Sequence, residues 1–375
     1  MERAPSILLI GLGGAGCSMV SRLAPALPAE VQVLRVDTDA RSVAEGGAGA
    51  ALQVGRAQTR GMGTGGEPAV GAVAAEAEEA ALRRACIGPA LVVLVTGLGG
   101  GTGSGAAPVV ARVAAEAGAT VLAFATMPFS HEGERRMRQA NEGAIALGQK
   151  AHGLVFVHND LLLQQVSNEA PLSETFAAAD AWVGGALRAL AAAFEPGALV
   201  PVDPVALRSI LASPGSPTLF AYGVGSGAGA ALQAAHAAGS CPLAHAPGAV
   251  TKVAALFVYV AGGPTMTSND AFEAVGAVRH RFGGETTTLL CARIVPDFGD
   301  RVEVSVLGAS LPAPKPAPKA RKGAKAADAA QPLFGFATEE TMRRGLFGGT
   351  PMTFIEGQDV DVPTYIRKAV RLPGG

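Results

Sequence analysis

Short apolar runs that end on glycine or on an acidic turn recur through the first half of the chain. Ser6–Ile10 (SILLI) stops at Gly11, a pattern that predicts a buried parallel strand feeding a turn. A helix is expected from about Cys17 to Ala26, and Val31–Val36 reads as a second strand closing on Asp37-Thr38-Asp39. Residues 44–66, rich in Gly and Ala, predict a loop containing Arg60-Gly61-Met62-Gly63-Thr64-Gly65-Gly66. Glu67–Cys86 has helical periodicity with its charges on one face. Leu91–Thr96 (LVVLVT) is another buried strand, followed by a loop over Gly97–Gly105 and a helix over Pro108–Ala117. Thr120–Thr126 and Leu154–His158 are further strands, and a long Ala/Leu-rich helix spans about Leu172–Phe194 before Pro196-Gly197. Alternating strands and helices over roughly the first 170 residues predict a doubly wound α/β domain.

The rhythm then changes. Val253–Ala261, Thr286–Val295 and Arg301–Leu307 read as strands of a smaller α/β domain. Leu311–Pro332 holds five basic residues against one acid, Asp328, with many Pro and Ala and no apolar face, which is the composition of a semi-extended linker. In the following tail, Asp359–Arg371 regains a pattern.

Composition narrows the class. With 49% hydrophobic and 16% charged residues, the 375-residue chain can bury a sizeable core. Thirty basic against thirty-one acidic residues argue against a protein that binds nucleic acid by neutralising phosphates. Cys17, Cys86, Cys241 and Cys291 are far apart, as expected of reduced, buried thiols in a cytoplasmic protein. Met1–Pro5 carries one Arg and the apolar run after it breaks at Gly11, so no signal peptide is expected. Runs such as Ala254–Val260 fall far short of the roughly 20 apolar residues of a membrane span, so no membrane insertion is expected either. His236, Cys241 and His245 lie close in sequence but match no common zinc spacing, and no side-chain metal site is expected.

Two glycine-rich turns directly follow predicted strands. Gly11-Leu12-Gly13-Gly14-Ala15-Gly16-Cys17-Ser18 fits G-x-G-x-x-G, with Asp37 about 20 residues on, a spacing compatible with an NAD(P)-dependent oxidoreductase. As a P-loop it fails, because Cys17 stands where the Lys belongs. In Gly99-Gly100-Gly101-Thr102-Gly103-Ser104-Gly105, five glycines and two hydroxyls fill seven residues between a strand and a helix. Such a segment lets successive N–H groups and a helix N-terminus face the same anion. The dinucleotide reading leaves this second turn unexplained.

At these residues the sequence resembles the tubulin/FtsZ superfamily, most closely its bacterial cell-division branch, from Ile7 to about Leu307 and again in the tail. The resemblance implies a Rossmann-like GTP-binding α/β domain (1–171), a long central helix (172–197), a smaller C-terminal α/β domain (198–310), a linker (311–333) and a tail (334–375). It implies GTP or GDP with Mg²⁺ as ligands. The site residues it implies are Gly13, Gly14, Ala15, Gly16, Cys17 and Ser18 in the first loop; Asp37 and Asp39, with Thr38, near phosphate and Mg²⁺; and Gly63, Thr64 and Gly65 sensing the γ-phosphate. To these it adds Gly99, Gly100, Gly101, Thr102, Gly103 and Ser104 in the central phosphate loop; Glu132 and Arg136 at the nucleoside; Asn159; and Phe176 with Asp180 at the guanine. A carboxylate accepts guanine N1–H and its exocyclic amine side by side, a donor pair that adenine lacks, so Asp180 would select GTP over ATP. The family usually carries Asn where Cys17 and Ser18 stand; the serine hydroxyl reaches less far, and a lower guanine affinity is expected.

In this family GTP is hydrolysed between subunits, by acids in a loop reading roughly Asn-x-Asp-x-x-Asp. Here it is Pro201-Val202-Asp203-Pro204-Val205-Ala206, so Asp203 remains and Ala206 replaces the last acid. Hydrolysis is expected to be slow, since positioned acid–base help is worth about 10²–10⁴-fold. Pro201 and Pro204 are expected to restrict the loop. Asp359–Lys368 resembles the family's C-terminal peptide, with Val360, Val362, Pro363, Tyr365, Ile366 and Arg367 as contacts for membrane-tethering division adaptors. The expected function is a cytoplasmic protein that self-assembles head to tail at the division site. The alternative is a non-hydrolysing, GTP-bound scaffold or modulator of another filament protein.

Overall fold

The strongest apolar runs become the centre of a six-stranded sheet. In a computed structural model, residues 7–28, 31–44, 47, 49–163, 171–194, 198–200, 202, 204–210, 218–246, 250, 253–283, 286–310, 354–355 and 358–359 are described. Strands β1 (Ile7–Leu12), β2 (Val31–Asp37), β3 (Ala50–Gln53), β4 (Leu91–Gly97), β5 (Thr120–Met127) and β6 (Gly153–His158) pair in parallel in the order β3-β2-β1-β4-β5-β6. Every residue of β1 is buried, as are all of β4 but Gly97, because helices cover both faces of the sheet. Those helices are α1 (Gly13–Leu23), α2 (Ala40–Ala44), α3 (Arg56–Thr59), α4 (Pro68–Ala77), α5 (Glu79–Cys86), α6 (Gly101–Glu116), α7 (Glu134–Gly148) and α8 (Asn159–Leu163).

The central helix, α9 (Leu172–Phe194), turns Trp182, Val183, Ala186, Leu187 and Leu190 into a continuous apolar cluster. That cluster begins at Leu9 and Val93 of the first sheet and continues through Phe257 and Val306 of a second. After α10 (Pro204–Ile210), the second sheet comprises β7 (Thr218–Ser226), β8 (Val253–Gly262), β9 (Thr287–Ile294) and β10 (Arg301–Ser310). Its order is β7-β10-β8-β9, antiparallel except for β8–β9, and it carries α11 (Ala230–Gly239) and α12 (Ser268–Phe282). The helix is tied to this sheet by Glu303, which is 3% exposed and pairs with Arg188 of α9 (3.3 Å) and with Arg301. Residues Asp328–Gly375 form a separate unit, in which Phe354–Ile355 pairs antiparallel with Gln358–Asp359.

Several expectations are corrected. Both glycine turns are shorter than the sequence suggests: α1 starts at Gly13 rather than Cys17, and α6 at Gly101 rather than Pro108. Glycine's low helix propensity hides these starts, and packing of α1 on β1 and β4 and of α6 on α4 overrides it. Glu67–Cys86 is two helices, broken at Glu78 (φ −107°, ψ 20°). The loop expected over 44–66 contains β3 and α3. Gly223 and Gly225 lie within β7, on which α11 packs so closely that a Cβ at Gly223 would sit 2.2 Å from Ala234 O. Pro204 opens α10, where a missing N–H costs no hydrogen bond, so it favours the helix start rather than merely stiffening a loop. Asp203, Pro201, the linker and, apart from Asp359, the segment 359–371 lie outside the described residues.

Candidate functional site

β1 and β4 lie side by side with Leu12 opposite Thr96, and the chain leaves β1 towards β2 on one side and β4 towards β5 on the other. In an open parallel sheet that divergence creates a crevice at the carboxyl ends of the two strands. The two glycine-rich turns are the segments that leave them. Neither α1 nor α6 has a side-chain cap or an acid in its first turn. Their unpaired N–H groups and positive ends therefore serve a common space.

That space is a cavity of about 490 Å³ lined by Gly13, Gly14 and Ala15 from one turn, Gly100–Gly103 from the other, and Thr64, His131, Glu132 and Arg136. A second cavity of about 300 Å³ is lined by Ser18, Met19, Arg22, Val95, Thr96 and Ala179. Gly14, Ala15, Thr126, Asn159 and Phe176 line both, so the two are lobes of one cleft, the first rich in backbone amides and the second in side chains. The amide lobe depends on close approach. A Cβ on Gly101 would lie 2.0 Å from Thr64 Oγ1, which binds the 60–66 loop to the start of α6. Thr38 Oγ1 meets Thr102 Oγ1 at 2.7 Å, and Thr59 Oγ1 donates to Thr38 O at 3.3 Å, so the turn after β2 is fastened to the same loop.

The cleft gathers Gly13, Gly14, Ala15, Gly16, Ser18, Thr64, Gly100, Gly101, Thr102, Gly103, Glu132, Arg136, Asn159 and Phe176. Other expected residues stand behind it. Ser104 is buried, and its Oγ accepts the Gly99 N–H at 2.8 Å, so both shape the loop from within. Cys17 points into the sheet and donates to Gly11 O (3.4 Å) and Val36 O (3.6 Å). Burial, then the charge of Asp37, pushes its thiol up to about 11, which keeps it protonated. Gly63 and Gly65 flank Thr64 without lining either lobe.

Asp180 is held where the sequence gives no warning. Arg22 Nε and Nη2 donate to its two carboxylate oxygens at 2.5 and 2.9 Å, so Arg22 rather than Asp180 borders the second lobe. Arg22 is one helical turn beyond Ser18 on α1, an i, i+4 spacing from which its place in the site could have been read. Glu132 is likewise engaged: its Oε1 accepts the Phe129 N–H at 2.8 Å and its Oε2 pairs with Arg136 Nη1 at 2.6 Å.

The carboxylates near the first lobe fit a cation only as an escort of phosphate. Asp37 Oδ1 accepts the N–H groups of Thr38 (2.7 Å) and Asp39 (3.3 Å). Asp39 is taken up by Arg41, whose hydrogen bonds hold its carboxyl below the usual range. Among the described residues no three His, Cys, Asp or Glu side chains are grouped to hold a metal. Mg²⁺, which keeps most of its waters and favours phosphate oxygens, would be held here by the nucleotide with Asp37 nearby.

α10 is fastened at the opposite end of the sheet. Arg208 donates to Gly118 O (2.5 Å) and Thr120 Oγ1 (3.0 Å) at the start of β5, while Thr126 near the end of that strand lines the cleft, roughly 20 Å away by strand rise. Ala206 is half-buried in the first turn of α10, next to exposed Val205. Among the described residues no helix is long and apolar enough to cross a membrane.

Comparison with known proteins agrees with this geometry. A sequence profile described as "Tubulin/FtsZ family, GTPase domain" matches residues 6–167. The cell division protein FtsZ of Coxiella burnetii is 33% identical over 306 residues, covering 81% of this chain and 78% of that protein. An empty FtsZ dimer from M. jannaschii superposes with a TM-score of 0.75 at 28% identity, over 83% of this chain and 89% of the other. CetZ2 from Haloferax volcanii, solved as a GTPγS-bound protofilament, shares the fold with a TM-score of 0.65 at 23% identity, over 81% and 93% of the two chains.

Proposed function

The chain belongs to the tubulin/FtsZ family, which implies GTP or GDP binding, and from that premise we propose that it polymerises head to tail on GTP into filaments of the bacterial division ring and hydrolyses GTP slowly. The observation that carries the nucleotide reading is the convergence of two uncapped helix N-termini on the cleft between β1 and β4. The amide lobe takes the phosphates and the lobe beside Ser18 and Phe176 takes the nucleoside. Guanine then shares the Asp180 carboxylate with Arg22, using the second lone pair of each oxygen or displacing the guanidinium.

The head-to-tail reading is supported by the placement of α10 at the far end of the first sheet from the cleft. A contact between unlike surfaces of identical copies is heterologous, and where its rotation does not close into a ring it produces an open filament. Slow hydrolysis follows from Ala206, since Asp203 is the one Asp or Glu between Gly197 and Gly215. The linker and the segment around Val360–Arg367 would tether such a filament to membrane-bound adaptors, with a reach of roughly 25 Å for a flexible 22-residue coil.

Light scattering and phosphate release, followed together after GTP is added to the purified chain, test the whole reading. GTP-dependent scattering with slow phosphate release is expected. Scattering with no release would make the protein a non-hydrolysing scaffold, and no GTP-dependent assembly under any salt or Mg²⁺ condition would refute the filament.

A further inference from the structure

The turn between β5 and α7 closes the outer edge of the amide lobe. Its polar groups are nearly all committed: Ser130 N–H and Oγ bond Asp160, and both oxygens of Glu132 are taken by Phe129 N–H and Arg136. His131 is the exception. It lines the amide lobe and not the nucleoside lobe, it is exposed, and it has no hydrogen-bond partner among the described residues. Its ring is nevertheless fixed, stacked on Phe129 with centroids 5.2 Å apart and planes 23° apart. Phe129 is itself buried, so the imidazole rests on a firm platform.

We propose that His131 is a phosphate ligand of the bound nucleotide, donating a ring N–H to the phosphate chain held by the Gly100–Gly103 amides. This rests on the nucleotide reading above and adds to it a residue that neither glycine turn supplies. A stacked ring loses little freedom on binding, and an imidazole can add positive charge where the glycine loops offer only partial charges. The charged groups around it are Glu132 of the same turn, Arg136 of α7 and Asp160 of α8, which bonds the adjacent Ser130. Glu132 and Arg136 cancel one another, which leaves the added charge to the ligand.

Calorimetric titration of the full chain with Mg-GDP and with guanosine, at pH 6 and pH 8, tests this in wild type, His131→Phe and His131→Gln. Phe keeps the stacking and removes the donor; Gln keeps a donor without the ring. The expected result is a loss of GDP affinity of about tenfold in His131→Phe at pH 6, the size of one hydrogen bond to a charged group. Guanosine binding stays unchanged, and His131→Gln recovers part of the GDP affinity. GDP affinity in His131→Phe equal to wild type, or an equal loss for GDP and guanosine, would overturn the proposal while leaving the nucleotide site intact. Wild-type protein that binds neither GDP nor GTP would refute the nucleotide reading itself, and this assignment with it.

Discussion

On the proposed reading, the Arg22–Asp180 pair would set the terms of base recognition. Half of Arg22 is in water, so the ion pair contributes about 1 kcal/mol or less to stability and can yield to a ligand. Replacing the acid by Asn leaves a group that can no longer accept two hydrogen bonds side by side. Asp180→Asn is therefore expected to fold normally but to lose about tenfold or more of its preference for GTP over ATP in competition binding. An unchanged GTP/ATP ratio would remove Asp180 from the base site. The glycines of this cleft are legible in the sequence because their density between two apolar strands has few other physical uses. The engagement of Asp180 and Glu132 is not, because the partner of Asp180 is 158 residues away and that of Glu132 depends on the path of one turn.

At the scale of elements, the parallel strands announce themselves as unbroken Val/Leu/Ile runs, and the length of α9 follows from its Ala/Leu content. What fails is the boundary of each helix that begins in glycine. Propensity places α6 at Pro108, but tertiary packing starts it seven residues earlier and leaves Pro108 inside, at the loss of one backbone hydrogen bond. On the proposed reading α10 is the element that bears on hydrolysis: Arg208 fixes it, and Ala206 lies in its first turn. Ala206→Asp adds a carboxylate at a helix N-terminus, where negative charge is favourable. Its phosphate release in assembled protein is expected to rise by about tenfold or more, up to the roughly 10²–10⁴-fold of positioned acid–base help. A rate no higher than wild type, with assembly intact, would mean that the missing acid is not what slows turnover.

One apolar cluster crosses from the first sheet through α9 to the second, and a group on the first sheet's side couples stability to pH. His152 Nδ1 accepts the Val121 N–H at 3.1 Å. Burial first, and then the charge of Arg208, lowers its pKa below the ordinary value. The unfolded chain therefore takes up this proton before the folded one. Stability is unaffected well above about pH 6.5 and falls as the pH drops from there towards the lower folded value. The urea midpoint is expected to decrease between pH 7.5 and 5.5, above the range where carboxylates titrate, and His152→Gln, which can still accept the bond, is expected to flatten that slope. An equally steep slope in the variant would assign the effect elsewhere. The two-sheet architecture is legible from strand rhythm, although β7 and α11 are hidden by Ala- and Gly-rich sequence that carries little periodicity.

Filament, adaptor and slow turnover all presuppose a guanine nucleotide in the cleft between β1 and β4. Isothermal titration of the purified chain with Mg-GTP, Mg-GDP and Mg-ATP under identical conditions tests that premise most directly. Saturable binding of GTP and GDP at one site per chain, with ATP much weaker, is the expected result. Heat from none of the three, or ATP bound as well as GTP, would contradict it.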